Sequence, residues 1–413
     1  MNLSVITLLA VFVVIAIRQV GSIRFQIWQV MALGAAVVLL SGQISFSSAL
    51  QSINLDVMLF LFGMFVVGQA LEESGYLSHL SYKYFRRART RDSLVMMIVV
   101  GAGIASAFLM NDTLAIIGTP VVLLLARKHA MSPKLLLLAL AFGITIGSVM
   151  SPIGNPQNLL LALNGRFENP FGTFLRRLFV PTVINLVLTS LLLKKLYPND
   201  FHDAELSHSQ EPIRNHDLAF LSKISLHIIL VLVAVKIVTA IVATPINLHL
   251  THIAIAACLP ILVGSARRWR ILQHLDWYTL IFFAAMFVLM ESVWQRGFFQ
   301  AILQEMHAPL TSPEMILGVS VVLSQFISNV PLVALYQPLL LHAGVSEAGL
   351  MALAAGSTIA GNLFLLGAAS NIIIIQNAEK KTGETITFWE FARAGIPLTF
   401  ANLAVYWAFL RWL

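Results

Sequence analysis

The segment SPIGNPQN, residues 151–158, interrupts a stretch of sequence that is otherwise almost continuously apolar. Its two prolines lack the N–H group that a helix interior uses, and its glycine adopts backbone conformations that other residues avoid. In hydrocarbon the freed backbone groups need partners, so such a break survives only where protein or a wet cavity covers it. Its polar side chains both donate and accept hydrogen bonds. We therefore predict a broken membrane helix whose candidate binding residues are Gly154, Asn155, Gln157 and Asn158.

The rest of the chain is equally apolar, and this sets the class of protein. Of its 413 residues 58% are hydrophobic and 11% are charged, whereas a soluble domain carries about a quarter charged residues. Apolar runs long enough to cross a bilayer core of about 30 Å recur along the sequence, and the alternating strands of a membrane β-barrel are absent. We predict an all-α polytopic membrane protein with about 10 transmembrane helices in contact with the lipid bilayer.

Charge and cysteine content exclude several other classes. The net charge of +7 is typical of basic cytoplasmic loops in a membrane protein, so no nucleic-acid partner is predicted. Cys258 is the only cysteine, and no intramolecular disulfide can form. Gly-rich phosphate loops, metal-spaced His pairs and nucleophile elbows are not seen. The sequence therefore predicts no cofactor, no structural metal and no enzymatic activity.

The distribution of Lys and Arg predicts the topology. Residues 41–55, 244–250 and 342–348 contain neither type, whereas other loops carry clusters of them. We assign the basic loops to the cytoplasm, which places both termini in the periplasm. The loop 164–181 is an exception, because its three arginines would then be external. The basic clusters contain Arg18, Arg24, Lys83, Arg86, Arg87, Arg89, Arg91, Arg127, Lys128, Lys134, Lys194, Lys195, Arg267, Arg268, Arg270, Lys380, Lys381 and Arg393.

Two apolar stretches are predicted to enter the membrane and return on the same side. Residues 94–126 have basic flanks, whereas 313–341 have flanks that are nearly free of positive charge. Charge leaves open whether each is a re-entrant hairpin or a pair of complete spans. Limbs of about 14 to 17 residues favour re-entrant hairpins, one from the inside and one from the outside.

An internal duplication is indicated by two gapless alignments. Residues 107–124 align on 325–342, and residues 139–158 align on 352–371, with Asn and Pro at matching positions. Combined with the topology, the copies are inverted, which is typical of secondary transporters. The predicted first repeat is 1–195, with hairpin 94–126 and broken helix 135–163, and the cytoplasmic linker is 196–223. The second repeat is 224–413, with hairpin 313–341 and broken helix 349–376.

The second break, GAASN at 367–371, contributes the candidate binding residues Gly367, Ser370 and Asn371. A broken helix presents a C-terminal end that suits a cation and an N-terminal end that suits an anion. Two such breaks in symmetric positions favour a paired ion and substrate site. The alternative is a pair of proline kinks filled by neighbouring side chains.

The tips of the two hairpins form the second group of candidate binding residues. Asn111, Asp112 and Thr113 form the first tip, and the matching tip contains Ser328 and Asn329 without a charge. An intramembrane carboxylate is costly and indicates function. Asp112 either ligates Na+ near Asn111 and Asn158, or carries a proton, or caps the returning helix.

Other polar residues are weaker candidates. Thr145 and Thr358 recur in the alignment and either line the site or bond to their own helices. Five acidic residues fall near span ends, where an interfacial position is predicted: Asp56, Glu72, Glu73, Asp276 and Glu291.

The stretches NDTLAIIGTPVVLLLA, SPIGNPQN, SNVPLVAL and GAASNIIII, in this order, resemble the ion transporter superfamily. The chain is most similar to ArsB/NhaD and citrate-transporter-like permeases, including an uncharacterised bacterial inner-membrane branch. The resemblance implies two hairpins and two unwound helices around a central site, often in a homodimer with an elevator-like motion. One departure concerns the substrate. Arsenite permeases and NhaD-type antiporters usually carry Asp where this chain has Ser328.

These features predict a secondary active transporter of the bacterial inner membrane. Its substrate would be a small anion, either an inorganic oxyanion or a di- or tricarboxylate, coupled to H+ or Na+. The alternative within transport is a Na+/H+ antiporter that uses Asp112. A channel and an intramembrane enzyme are further alternatives, and the enzyme would need a nucleophile and base that the interior does not offer.

Overall fold

A computed structural model describes residues 3–17, 19–20, 23–24, 26–165, 167–201, 206, 212–241, 248–298, 311–327 and 329–412. The candidate residue Ser328 and the exceptional Arg166 lie outside the described residues. Within them, α-helices dominate, and the only strands are Gln19–Val20 and Ile23–Arg24, which pair antiparallel. The predicted all-α polytopic class is confirmed.

The helices of the first half include both predicted interruptions. They are α1 (Leu3–Ile17), α2 (Ile27–Leu40), α3 (Phe46–Ser52), α4 (Leu55–Glu73), α5 (Tyr76–Phe85), α6 (Arg91–Leu109), α7 (Asn111–Lys128), α8 (Pro133–Ser148), α9 (Pro156–Asn164) and α10 (Pro170–Leu196). The hairpin is thus α6 and α7, and the broken helix is α8 and α9. The SPIGNPQN segment begins directly after α8 and supplies the first residues of α9.

The helices of the second half follow in the same order. They are α11 (His216–Ile241), α12 (Leu250–Gly264), α13 (Arg268–Gln273), α14 (Trp277–Trp294), α15 (Pro313–Ile327), α16 (Asn329–His342), α17 (Glu347–Leu363), α18 (Ala369–Thr382) and α19 (Phe388–Trp412). A 3₁₀ turn, Leu365–Gly367, separates α17 from α18. The linker is shorter than predicted, because α11 already begins at His216.

Within the described part of the chain, five helices are long and apolar enough to cross a membrane: α4, α6, α10, α11 and α14. Shorter apolar helices include α1, α2, α8, α12, α15 and α16. Helix α6 has 19 residues, which at 1.5 Å per residue is about 28 Å. The first limb of the hairpin is therefore longer than predicted and long enough to span the bilayer.

Close helix packing occurs at matching places in the two halves. A Cβ atom on Gly143 of α8 would lie 2.7 Å from the carbonyl oxygen of Val99 in α6. A Cβ atom on Gly356 of α17 would lie 3.0 Å from the carbonyl oxygen of Leu317 in α15. Gly143 matches Gly356 in the alignment, and Val99 matches Leu317 when the first alignment is extended at the same offset. The two aligned regions thus contain the same close crossing.

Substituting alanine at these crossings is expected to destabilise the protein. Gly143→Ala and Gly356→Ala each press a methyl group against backbone that cannot rotate away, and overpacking of this kind typically costs about 1–3 kcal/mol. Gly318→Ala is the matched control, because its added Cβ meets nothing within 4 Å. The unfolding temperature of the detergent-purified protein should fall for the first two variants only. A fall of equal size for Gly318→Ala would contradict this account.

Helices from the two halves also pack against each other. Helix α2 packs on α14, and α4 packs on α12. Helix α7 packs on α18, where Asn377 Nδ2 donates to Ile116 O at 3.3 Å, and α16 packs on α9, where Gln337 Nε2 donates to Leu161 O at 3.0 Å. The two halves are therefore interlocked.

Ion pairs that cross between the halves fix the first turns of both broken helices. Lys134 of α8 pairs with Glu390 of α19. Glu347 of α17 pairs with Arg176 and Arg177 of α10, at 3.0 and 3.2 Å, and accepts a hydrogen bond from Thr173. Lys134 matches Glu347 when the second alignment is extended at the same offset, so the two pairs lie at matching positions with reversed charges.

The Glu347 cluster predicts a pH-dependent contribution to stability. Burial raises the pKa of Glu347, but its hydrogen bonds and the charges of Arg177 and Arg176 outweigh burial and hold the pKa below its ordinary value. A lowered folded-state pKa gives stability that is present above the unfolded pKa and lost as pH falls through the folded pKa. Glu347→Gln should therefore lower the unfolding temperature at neutral pH and have little effect in acid. A pH-independent difference would argue against this ion pair.

Candidate substrate and ion site

The first hairpin tip is docked on the first helix break. Met110 forms the tight turn between α6 and α7 with φ of 65°, an uncommon backbone conformation for a residue other than glycine. The backbone N–H of Asn111 then donates to the carbonyl oxygen of Gly154 at 3.0 Å. Only glycine fits at 154, because a Cβ atom there would lie 2.3 Å from Ser148 O. The structure thus brings together the tip and break that the sequence predicted to face each other.

The first break satisfies its own backbone. Asn158 is fully buried, and its Nδ2 donates to the carbonyl oxygens of Ser148, Val149 and Ser151 at 3.1 to 3.3 Å. Asn155, also fully buried, caps α9 by accepting from Asn158 N at 2.8 Å. Both amides therefore stabilise the break itself.

A threonine from the second half completes the first break. Thr358 of α17 accepts from Asn155 Nδ2 at 3.2 Å and from Gln157 Nε2 at 3.5 Å. Its hydroxyl lies 3.4 Å from Asn158 Oδ1. Of the two alternatives for this threonine, contact with the break is the one observed. Asn155, Gln157 and Asn158 thus meet one side chain of the opposite half.

The second break differs because several of its buried oxygens have no partner. Asn371 Nδ2 donates to Gly361 O at 2.6 Å, but Asn371 Oδ1 and Ser370 Oγ have no hydrogen-bond partner among the described residues. The same holds for the side-chain oxygens of Gln325 and Thr145.

Gln325 and Thr145 pack against glycines at and just before the second break. A Cβ atom on Gly367 would lie 2.9 Å from Gln325 Oε1, and one on Gly361 would lie 3.2 Å from the methyl carbon of Thr145. Gln325 Nε2 donates to Ala360 O at 2.9 Å, which orients its amide toward the break. Free hydroxyl and carbonyl oxygens in this number are suited to a small cation or to hydroxyl-bearing solutes.

The N-terminus of the following half-helix is also free. Helix α18 begins after Ala368, which is 5% exposed and provides no side-chain cap, whereas α9 is capped by Asn155. A buried helix N-terminus without a cap presents N–H groups and partial positive charge, which suit an anion. The second break therefore has an uncapped helix N-terminus, whereas the first break has a capped one.

Asp112 lies beside the first break without a partner for its charge. It is partly buried in the first turn of α7, and among the described residues no group donates to its carboxylate. It does not cap α7 through its side chain, and its backbone N–H donates to Asn111 Oδ1 at 2.9 Å. Thr113 and Asn329 are buried, and no hydrogen bond of the described part joins Asn329 to either break.

Several polar residues near the site are missed by the sequence interpretation. Lys236 in α11 is 9% exposed, donates to Leu248 O at 2.6 Å, and lines a small cavity with Met110 and Ile153. The sequence signal that could have identified Lys236 is a single lysine within an apolar run. Asn362 Nδ2 donates to Asn402 Oδ1 at 3.1 Å. The recurrence of T-x-x-N-L at 182–186 and 399–403 marks this second polar layer.

Asp276 lies at the end of a candidate span, as predicted, but its carboxylate is buried by protein. Asp276 is 6% exposed and lies at the N-cap of α14, where its Oδ1 accepts from Thr279 N at 3.4 Å. The prediction considered only its place near a span end. The long-range packing of α18 over this end buries the carboxylate.

Comparisons with known proteins give one family. A family model described as the citrate transporter family CitMHS matches residues 10–348. An uncharacterised transporter of Mycobacterium tuberculosis is 28% identical over 419 residues, covering 96% of this chain and 94% of the relative. A silicon efflux transporter of Oryza sativa subsp. japonica is 28% identical over 440 residues, covering 90% of each.

Among solved structures, the YdaH transporter of Alcanivorax borkumensis covers 98% of this chain and 95% of its own, at 16% identity and a TM-score of 0.46. A likeness of that strength carries no further argument. The family model covers most of the chain, and the predicted resemblance to citrate-transporter-like permeases is confirmed. The chain is a membrane transporter and belongs to the CitMHS citrate transporter family.

Proposed function

We propose that this protein is a secondary active transporter that moves a small anion across the bacterial inner membrane, coupled to H+ or Na+. The anion is an inorganic oxyanion or a di- or tricarboxylate. The observation that carries this proposal is the uncapped, buried N-terminus of α18. No side chain caps the N–H groups of its first turn, and the Ser370 hydroxyl has no partner among the described residues, so both can donate to anion oxygens.

We assign binding of the coupling ion to the unpartnered oxygens around the second break and to Asp112. Asn371 Oδ1, Gln325 Oε1 and Thr145 Oγ1 are acceptors that suit Na+. The unpartnered Asp112 carboxylate supplies the negative charge that either a proton or Na+ needs. The names of the relatives fit a small, oxygen-rich solute, since one family is named for citrate and one relative for silicon efflux.

A thermal-shift screen of the purified protein tests the proposal. We expect one class among phosphate, sulfate, arsenite, silicic acid and di- and tricarboxylates to raise the unfolding temperature, and Na+ to enhance the shift if Na+ is the coupling ion. Binding stabilises by RT ln(1 + [L]/Kd), so a ligand at 100 times its Kd adds about 2.7 kcal/mol. Ser370→Ala should abolish the shift.

Ser292→Ala is the matched control for the screen, because Ser292 is equally buried and bonds only to Leu289 O of its own helix. It should keep the ligand-induced shift. A shift that survives Ser370→Ala would remove the α18 N-terminus from the anion site. No shift with any anion, together with no anion flux in proteoliposomes, would reject the proposed function.

A Na+/H+ antiporter that uses Asp112 is the second candidate. The unpartnered carboxylate at the hairpin tip is the observation that favours it. In that case Na+ alone should stabilise the protein in a pH-dependent manner, and Na+ gradients should drive proton flux without an added anion.

A further inference from the structure

Helix α11 carries a lysine in the apolar interior of the protein. Lys236 is 9% exposed, although α11 is one of the candidate membrane spans and every residue from Ile228 to Val235 is apolar. A charged side chain at such a place costs free energy unless it is paired, and it indicates function. The question is therefore which group compensates the charge of Lys236.

The described residues compensate Lys236 only in part. Its Nζ donates to Leu248 O at 2.6 Å, and no described carboxylate lies within ion-pair distance of it. Asp56, in the first turn of α4 at the same end of the helices, is exposed and accepts from Thr251 Oγ1 at 2.9 Å. An ammonium group has three N–H donors. Two of these donors and the positive charge of Lys236 thus have no partner among the described residues.

Lys236 lines a cavity of about 20 Å³ that also borders the first hairpin tip and the first break. Helices α4, α11 and α12 contribute residues to this cavity, the tip contributes Met110 and Thr113, and the break contributes Ile153. Among the described residues that line it, only Lys236 and Thr113 have polar side chains. The volume holds about one water molecule, which is also the space for one oxygen of a larger solute. A cation and a hydroxyl donor therefore share one cavity beside the candidate site.

The helices that hold Lys236 are closely packed. Helices α4, α11 and α12 contact one another, and a Cβ atom on Gly63 of α4 would lie 2.8 Å from Ala254 O of α12. Phe60 and Met64, on either side of Gly63 in the sequence, both line the cavity. Lys236 is therefore positioned by a tightly packed helix group, at the surface where this group meets the hairpin tip.

The cavity lies between one end of these helices and the hairpin tip. Ile253 belongs to the first turn of α12, and Lys236 is followed by five more residues of α11. The loop at this end, residues 244–250, contains neither Lys nor Arg, which predicts a periplasmic position. Lys236 thus lies between the predicted periplasmic end of α11 and the first hairpin tip.

We propose that Lys236 is an anion-binding residue, whose ammonium binds a carboxylate or oxyanion oxygen of the substrate beside the first hairpin tip. Hydrogen bonds between an ammonium group and an anionic oxygen are about twice as strong as neutral ones. A neutral solute gains less from the same donors, so Lys236 determines the preference for anions over uncharged hydroxyl compounds. This inference rests on the proposed transport function and names a residue that determines its specificity.

A purely structural lysine is the alternative, and it makes different use of the side chain. A lysine that only anchors the loop at Leu248 needs an N–H donor and does not need a charge. Lys236→Gln keeps a donor for Leu248 O and removes the charge. The variant therefore separates the two roles.

The thermal unfolding of Lys236→Gln tests the proposal with and without solutes. Without solute the variant should unfold at the wild-type temperature or above it, because a buried charge without a partner is removed. The solutes are citrate, succinate, phosphate and sulfate as anions and silicic acid as the uncharged compound. We expect the concentration of an anion that gives half of its thermal shift to rise by about tenfold or more. The response to silicic acid should stay as in the wild type.

Two further variants assign the effect to the charge at this position. Lys236→Arg keeps the positive charge and should bind the anions within about threefold of the wild type. Lys223→Gln removes an exposed positive charge from the same helix and should behave as the wild type. The loss in Lys236→Gln should persist at high salt, because a buried charge is screened less than an exposed one.

The possible outcomes distinguish this inference from the proposed function. Wild-type affinity for the anions in Lys236→Gln would overturn the inference and leave the transporter intact. A lower unfolding temperature of Lys236→Gln without solute would show that the charge is structural, and an equal loss of affinity in Lys236→Arg would place the effect in the shape of the side chain. Either result would overturn the inference. A wild-type protein that neither binds nor carries any of the four anions in proteoliposomes would reject the proposed function, and the role of Lys236 with it.

Discussion

Asp112→Asn is expected to reduce ion-driven transport to background while the protein still folds. The Asp112 carboxylate has no hydrogen-bond or ion-pair partner among the described residues, so the substitution removes a charge without breaking a contact. Asn has nearly the same shape, and the docking bond between Asn111 N and Gly154 O is made by backbone and stays. The measurement is anion uptake into proteoliposomes driven by an imposed Na+ or pH gradient. The unfolding temperature reports on folding in parallel.

A second carboxylate serves as the control for Asp112. Asp92 lies in the exposed first turn of α6 and pairs with Lys194 at 2.7 Å. Surface ion pairs of this type contribute about 0–1 kcal/mol, so Asp92→Asn should leave flux and unfolding temperature nearly unchanged. Undiminished gradient-driven flux in Asp112→Asn would exclude Asp112 from coupling. Loss of gradient coupling with preserved anion exchange would instead locate its role in ion binding alone.

Asn158→Ala is expected to destabilise the protein more than Asn371→Ala. Asn158 Nδ2 serves three backbone carbonyls in the first break, and Asn371 Nδ2 serves one in the second. Each buried acceptor that loses its donor costs about 1–3 kcal/mol. We therefore expect a loss of about 2–5 kcal/mol for Asn158→Ala and about 1–3 kcal/mol for Asn371→Ala. Thermal or chemical unfolding in detergent measures the difference.

The two asparagine variants should also differ in ligand binding. Asn371 Oδ1 is buried at the second break without a hydrogen-bond partner among the described residues, so Asn371→Ala should reduce the anion- or Na+-induced thermal shift. Asn158→Ala should keep a shift of similar size from its lower starting temperature. Equal unfolding temperatures of the two variants without ligand would contradict the assignment of a structural role to the first break and a binding role to the second. Loss of the ligand-induced shift in Asn158→Ala alone would contradict it as well.

The sequence predicts where the helices break, because proline and glycine act locally. The helix breaks in the segment 151–158 as predicted, between α8 and α9, and the hairpin tip at Asn111 lies against Gly154. The matched crossings at Gly143 and Gly356 follow from the same duplication. These features depend mainly on residues that are close together in the sequence.

The sequence could not predict which polar side chains bond to one another, because these hydrogen bonds depend on packing between helices about 200 residues apart. Asn155 and Thr358 meet only because α17 crosses the first break, and Gln325 reaches Ala360 only because α15 packs on α17. The burial of Asp276 depends in the same way on α18. Amide and hydroxyl side chains accept many partners, so their sequence positions do not decide which bonds they form.

The interlocked halves have a consequence for synthesis of the protein. Helices α4, α7 and α9 pack on α12, α18 and α16, which belong to the second half. When the ribosome has completed only α1 to α10, the partners of Gln157 and Asn155 on α17 do not yet exist. The first break therefore reaches its final hydrogen bonding only when Thr358 of α17 has entered the membrane. Final assembly of this transporter is consequently a late, post-insertion step.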